Sequence, residues 1–469
     1  MLTNFKPYAH QQSAYDRYKD KPYGALFCEM GTGKTKITLD LILNSKEQGA
    51  LLLAPNGLHN NWYFSEVPKH AHPDIYPLIY CWKGSITTKK AKTELQEFMD
   101  AQHPFKLFLI NIEAIRTVSG YIPAERFLKS LESSHIIIDE SICIKNPKAS
   151  QTKAALKLSR IATRKWILNG TPMTQGPLDL YSQCKFLSPD SIPYSSYTAF
   201  KTTYANEIIE TFQNRSFRKI VGYKNLDQLK DELKPFSLKL DKEDCLDLPE
   251  KTFMTRYVEQ SPEQLSVYKT MKNLCLAEMQ DGTIVTVQQA ITKMLKLHQI
   301  LTGFLNDELG SVHEIKNNRI NSLIDIAEQT QPLVIFCAYK YNVQQIEAEL
   351  SKKYGSDSVV TYYGETSDTD RTKAVARFQS GDAKFFIGTS AAAKGLTLHK
   401  ASTMVYYSLS HSLSDRLQSQ DRIHRIGQTN KCTYIDLICP NTLDQKIQSV
   451  LDTKKEMSKL VLDDLRKML

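Results

Sequence analysis

Arg422 and Arg425 stand three residues apart in the otherwise polar run QSQDRIHRIGQ, 418–428. On a helix that spacing aims both guanidiniums the same way. Two converging planar forks suit the oxygens of a polyphosphate and stay charged at any working pH. Taken alone, the run is equally a solvated basic face. A second stretch gives it a partner. GALFCEMGTGKTKITLDLIL, 24–43, sets a Gly-rich loop between an apolar β-type run and a helical pattern, the context a phosphate loop requires. Gly31 and Gly33 allow backbone N–H groups to turn toward phosphate oxygens as an anion nest at a helix start, with Met30 and Thr32 in the same loop. Lys34 then reaches the β- and γ-phosphates of ATP and Thr35 ligates Mg2+. The first glycine of the strict pattern is replaced by Cys28, and an incidental Gly-Lys-Thr turn is the plainer alternative.

HIIIDES, 135–141, supplies the acidic counterpart. Asp139 ends an apolar run and would hold Mg2+ mostly through water, because that ion dehydrates reluctantly. Glu140 would polarise the attacking water. The alternative is an exposed Asp-Glu pair at a strand end. Chemistry at such a site is positioning and charge stabilisation, where an arginine supplied from elsewhere contributes about 10³–10⁵ in rate. That connects Arg422 and Arg425 with Lys34. If the arginines sit on a second lobe, ATP binding closes the molecule and hydrolysis opens it, which makes a motor.

These residues need a scaffold, and the chain is long enough for one. Its 469 residues imply about two or three domains. With 41% hydrophobic and 24% charged residues it reads as globular, and no apolar run nears the ~20 residues that cross a bilayer. The start, MLTNFKPYAHQQ, carries neither an apolar signal core nor an Arg-rich presequence. Nine scattered cysteines without a CxxC pair point to a reducing cytoplasm and away from disulfides or a zinc site. The net charge of +9 permits nucleic-acid binding without demanding it.

Short β-rich runs at 24–28, 50–55, 106–111, 135–139 and 165–170 alternate with helix-length intervals, the mark of βαβ units and a parallel sheet. From about 175 to 301 the texture becomes Tyr-, Lys- and Gln-rich, with helical stretches at 225–234 and 287–301 and a charged, Pro-bearing linker or crossing point at 241–252. Strand signals resume at 332–337, 359–364, 384–389, 403–409 and 433–439, and an amphipathic helix from about 444 to 468 closes the chain. The fold class is α/β: two lobes, 1–240 and 241–469, each a mostly parallel sheet flanked by helices. Helical insertions follow residue 175 in the first and occupy about 260–305 in the second.

Further stretches line up with the loop, the acid pair and the arginines. YAHQQSAYDRY (8–18), LLLAPNGLHNNW (51–62), DESICIKN (139–146), LNGTP (168–172), LKLDKEDCLDLPEKT (238–252), YYGETSDTDRTKAVARF (362–378), GTSAAAKGLTLHKAS (388–402) and TLDQKIQSVLDTKKEMSKLVL (442–462) join EMGTGKT and QSQDRIHRIGQ. Together they resemble the Swi/Snf family of double-stranded-DNA translocases in helicase superfamily two, over nearly the whole chain. The resemblance implies two RecA-like lobes with protrusions and ATP-driven translocation along duplex DNA, with ATP and Mg2+ as cofactors. Gln11 stands where the family reads adenine, and Gly395 and Gln418 join the nucleotide-binding set. Nucleic-acid contacts carry over to Pro55, Asn56, Asn61, Lys145, Asn146, Gly170 and Thr171 in the first lobe, and to Thr389, Gly395 and Thr397 in the second. Such contacts hold phosphates without reading bases. Trp62 reads as a core residue.

The sequence departs from the family at Ile142 (for the His of the DEAH box), Asn169 (for the leading Thr of Thr-Gly-Thr-Pro), Ser390 (for an Arg) and His411-Ser412-Leu413 (for Trp-Asn-Pro). These leave open how hydrolysis communicates with DNA. The 469 residues match a bare motor with no appended reader module, expected as a monomer targeted by a protein partner or by DNA structure, most like bacterial or phage members. Two other functions stay open: a strand-separating or annealing helicase, and an ATP-binding switch that docks partners with little turnover.

Overall fold

Apolar runs that are buried along their whole length become the inner strands of parallel sheets, because helices cover both faces. The computed structural model describes residues 6–55, 58–84, 86, 88–212, 215–280, 287–307, 309–389 and 396–462. Strands in chain order are β1 (Tyr23–Cys28), β2 (Gly49–Ala54), β3 (Leu78–Cys81), β4 (Lys106–Asn111), β5 (Ser134–Asp139), β6 (Arg164–Leu168), β7 (Ala205–Phe212), β8 (Arg215–Tyr223) and β9 (Ser237–Leu240). The second set is β10 (Lys251–Tyr257), β11 (Phe304–Asn306), β12 (Val312–Glu314), β13 (Leu333–Phe336), β14 (Val359–Tyr362), β15 (Phe385–Gly388), β16 (Thr403–Tyr406) and β17 (Cys432–Ile438).

The chain divides into two compact units, 1–208 with 218–246 and 454–469, and 209–217 with 247–453. The first holds a seven-stranded sheet in the order β3-β4-β2-β5-β6-β1-β9, every pair parallel. Its side chains alternate between two cores. Leu51 and Leu53 of β2 join Phe98, Phe108 and Phe127 on one face. Leu52 and Ala54 join Ile37, Leu41, Trp62 and Trp166 on the other, as a period of two demands. The second unit holds a six-stranded parallel sheet ordered β10-β17-β16-β13-β15-β14. There Val334 and Phe336 face one core and Leu333 and Ile335 the other.

Every expected strand is present, and both sheets are the flanked parallel sheets expected. Three strands of these two sheets, β3, β9 and β10, were not anticipated, nor was the small antiparallel pair β11–β12. The segment expected as a linker at 241–252 contains a short helix, Lys242–Cys245, and the start of β10. The insertion expected to be helical after residue 175 needs correction. Helices Leu180–Leu187, Tyr197–Tyr204 and Leu226–Leu233 are there, but β7 and β8 form a two-stranded hairpin between them. Paired Ile, Val, Thr and Phe residues along 208–221 favour the pleated conformation over the helix. In the second unit the helices Pro262–Gln280 and Val287–Leu301 match the expectation, and the closing helix runs Leu443–Leu462.

A buried ionic knot ties that closing helix to the second sheet. The Arg319 guanidinium, 1% exposed, pairs with the Asp444 carboxylate and donates to the carbonyls of Tyr407 (2.5 Å) and Leu437 (3.1 Å). Asp444 also accepts from the Cys439 amide at 3.1 Å, and His298 lies 3.7 Å from its other oxygen. Burial pushes His298 down to about 4, with Asp444 opposing the shift and Arg319 and His411 adding to it. Among the described residues no disulfide and no metal-ligating cluster occurs, and no helix is long and apolar enough to cross a membrane.

Candidate nucleotide site

In a parallel sheet the C-terminal strand ends share one edge, and loops from non-adjacent sequence meet there. The first unit brings three such loops together, after β1, β5 and β6. The turn after β1 passes through Gly31 and Gly33, both at φ 91°, and Gly33 caps the helix Lys34–Leu43 in the left-handed conformation. The φ of 91° at position 33 favours glycine, and a Cβ there would fall 2.1 Å from Gln11 Nε2 and displace that amide. Gln11 is 6% exposed and donates to the Thr32 carbonyl at 3.3 Å, while its Oε1 accepts from the Tyr8 amide at 3.1 Å. The His10 ring donates to the same Thr32 carbonyl at 2.9 Å. Gln11, expected to face adenine, thus braces the loop itself. Thr32 is fully buried with its hydroxyl on the Glu29 carbonyl at 2.8 Å, so it offers the loop's exterior no side chain. Met30 and Thr35 are half-buried on the same turn. Lys34 Nζ donates to the Cys28 carbonyl at 2.8 Å.

Asp139 ends β5 and is 6% exposed. Its Oδ2 accepts from Trp62 Nε1 at 2.8 Å and its Oδ1 from the Glu140 amide at 3.0 Å. Burial raises its carboxyl above the usual range, and the Lys34 ammonium is the leading opposing influence. Glu140 takes φ 55°, ψ 57°, a left-handed conformation rare outside glycine, which turns the chain sharply out of the strand. Trp62 lies on a π-helical turn, Trp62–Glu66, in the crossover after β2. Its place in the core agrees with the sequence; its bond to Asp139 was not visible there.

The loop after β6 closes against the first. Asn169 Oδ1 accepts from the Thr171 amide at 2.8 Å, a local turn made by the residue that departs from the family pattern. A Cβ on Gly170 would lie 3.4 Å from the Cys28 carbonyl and 3.5 Å from Lys34 Nζ. Gly170, expected on the nucleic-acid path, therefore packs on the phosphate turn. Ser141 Oγ donates to Gln183 Oε1 at 2.6 Å, and Gln183 Nε2 donates to the Pro172 carbonyl at 2.8 Å. This buried tie joins the segment after Glu140 to the Asn169–Pro172 loop without using Ile142.

The remaining candidates of the first unit follow strand ends on the same edge. Pro55 follows β2 and is half-buried. Asn61 donates to Glu66 at 3.3 Å, and Asn146 caps its own turn by accepting from the Lys148 amide at 2.9 Å. Lys145 donates to Thr174 Oγ1 at 2.9 Å and lies 3.9 Å from Asp179, so its charge is already partnered. Thr171 is half-buried. Asn56 lies outside the described residues.

In the second unit the expectation that Arg422 and Arg425 share a helix face needs correction. The helix Leu413–Gln420 stops before them, and both sit in turns. They converge nevertheless, each donating to the Leu396 carbonyl, Arg422 at 3.1 Å and Arg425 at 3.0 Å. Arg422 is 1% exposed, with its Nε on the Gln418 carbonyl at 3.0 Å. Arg425 also donates to Thr397 Oγ1 at 2.6 Å, which occupies one expected nucleic-acid contact. Gln428 Nε2 donates to the carbonyls of His399, Ala401 and Ile423, at 3.0, 2.8 and 3.2 Å, and holds the turn together. Thr389 follows β15, its amide on the Tyr362 carbonyl at 3.2 Å. Gly395 and Ser390 lie outside the described residues.

The residues of the first unit fit a nucleotide triphosphate with Mg2+. The turn favours glycine at position 33, the helix Lys34–Leu43 starts at its edge, and a buried carboxylate feels Lys34. Comparison with known proteins finds relatives described as ATP-dependent helicases. A family model described as the SNF2-related domain matches residues 12–308, and one described as the helicase conserved C-terminal domain matches 315–427. An uncharacterised ATP-dependent helicase of Mycoplasma genitalium is 24% identical over 98% of this chain and 42% of its own length. A putative ATP-dependent helicase/translocase of Bacillus subtilis is 25% identical over 95% of this chain and 47% of its own. The chain thus spans under half the length of these curated relatives. The solved SWI2/SNF2 ATPase core of Sulfolobus solfataricus, in complex with double-stranded DNA, has 22% identity and a TM-score of 0.42, covering 100% of this chain and 99% of that one.

Proposed function

Because the chain belongs to the SNF2-related domain family, matched over residues 12–308, we propose that it is an ATP-driven translocase on double-stranded DNA. It hydrolyses ATP to move along DNA or to remodel protein–DNA complexes. The observation that carries this reading is the meeting of the Gly31–Lys34 turn, Asp139 and the Asn169–Pro172 loop at one sheet edge.

Backbone amides of the turn bind the phosphates, and Lys34 supplies positive charge where negative charge grows on the γ-phosphate. Mg2+, when bound, would be held by Thr35 and Asp139 and would neutralise phosphate charge. Glu140 orients the attacking water. Arg422 and Arg425 add charge stabilisation during hydrolysis. Asn61, Thr171 and Thr389 are the proposed donors to DNA phosphates, through amide and hydroxyl groups that ignore base identity, while Pro55, which has no N–H, can meet the DNA backbone only by van der Waals contact.

ATP turnover measured with duplex DNA, single strands, RNA and no nucleic acid tests the proposal. Duplex DNA should stimulate most. Equal rates in all four would sink the coupling to DNA, and no turnover in any would favour a nucleotide-binding switch.

A further inference from the structure

We propose that Trp62 is a positioning residue for the metal-site carboxylate: its indole N–H fixes the orientation of Asp139 so that the carboxylate can hold hydrated Mg2+. This rests on the nucleotide-site reading above and assigns a role to a residue that otherwise counts as core.

Asp139 stands at the end of a strand, where its side chain could rotate about two bonds. Two donors remove that freedom. The Glu140 amide holds Oδ1 at 3.0 Å and the Trp62 indole holds Oδ2 at 2.8 Å. Each oxygen keeps a further lone pair for a metal-bound water, because a carboxylate accepts at about four sites. Trp62 is 1% exposed, in the core with Ala54 and Val67, so the donor cannot swing away. The indole offers a single N–H and no acceptor, and this one is spent on Asp139. Packing alone would be met by phenylalanine; the bond requires the nitrogen.

The backbone around Trp62 bears on the same point. The turn Trp62–Glu66 is π-helical, a form that recurs at functional positions because it re-aims side chains. Glu66 also acts on Asp139 electrostatically. Asn61, a proposed DNA contact, is the residue that caps the start of this turn. The residue that holds the carboxylate is therefore the chain neighbour of one assigned to DNA.

The test uses the full chain with Trp62→Phe and, separately, with benzothienylalanine at position 62, which keeps the ring size and replaces N–H by sulfur. Binding of a fluorescent, non-hydrolysable ATP analogue is titrated with Mg2+, alongside a thermal melt. Loss of one hydrogen bond to a charged group should raise the Mg2+ midpoint about tenfold or more. Both variants should show it, and the benzothienyl protein should melt like the wild type. Wild-type midpoints in both variants, with only the melt of Trp62→Phe lowered, would overturn the positioning role and leave the nucleotide site standing. A wild-type chain that binds the analogue without any Mg2+ dependence would overturn both.

Discussion

Gly33→Ala probes the phosphate turn at its tightest point. Two costs add. Alanine at φ 91° occupies the left-handed region, which costs about 1–2 kcal/mol for a residue with a Cβ. The new methyl would also lie 2.1 Å from Gln11 Nε2, so the amide must leave the Thr32 carbonyl, a neutral hydrogen bond contributing about 0.5–1.5 kcal/mol. Their sum, about 1.5–3.5 kcal/mol, corresponds to about ten- to three-hundredfold weaker nucleotide binding if the turn must be restored on binding. The assay is competition against a fluorescent ATP analogue, with a thermal melt to verify the fold. A cycle with Gln11→Ala isolates the steric share, because the double variant should cost less than the two single changes together. Wild-type affinity in Gly33→Ala would refute both the brace and the anion nest.

Four further outcomes are expected. Arg425→Ala and Glu140→Gln should each abolish ATP turnover while sparing ATP binding; normal hydrolysis in either would remove that residue from the mechanism. Asp444→Asn should destabilise the second unit by about 3–5 kcal/mol, because it strips the charge partner from the buried Arg319 guanidinium, and an unchanged melt would refute the knot. His298 is held down to about 4 against an ordinary 6.5. Below 6.5 the unfolded chain takes up a proton that the folded one refuses, so stability falls from about pH 6.5 toward 4, by about 3 kcal/mol in all. His298→Gln should flatten that part of the pH–stability curve relative to the wild type. DNA affinity should drop steeply with salt if phosphates dominate the contact; a flat response would argue for base recognition.

What could be read in advance follows a physical line. The Gly31–Lys34 turn and the Asp139–Glu140 pair were legible because their chemistry lies in contiguous residues between a strand and a helix. The strands of the two large sheets that escaped notice, β3, β9 and β10, all lie at sheet edges, and they are short or interrupted by polar residues: β3 and β9 have four residues each, and β10 is KTFMTRY. The hairpin β7–β8 escaped because its Lys, Glu and Gln content looks helical until the pairing is known. Trp62 was legible as core but not as a partner of Asp139, since 77 residues separate them and only the folded sheet brings them together. The arginines converge as expected but for another reason. Their meeting point is the Leu396 carbonyl, and the helix on which the spacing argument relied ends at Gln420.

The place of β1 in its sheet bears on how the protein is made. β1 emerges within the first thirty residues, yet its neighbours are β6, starting at Arg164, and β9, starting at Ser237. The nascent strand leaves the ribosome with both edges unpaired, an exposed template for misassociation. The amides of Ala25 and Glu29, which fix the strand's course into the phosphate turn, donate to the carbonyls of Phe236 and Leu240. The turn is therefore set only after residue 240 has been synthesised and has closed onto it. Nucleotide capture by ribosome-bound chains of increasing length would begin at that point and mark the closing of the first sheet around β1.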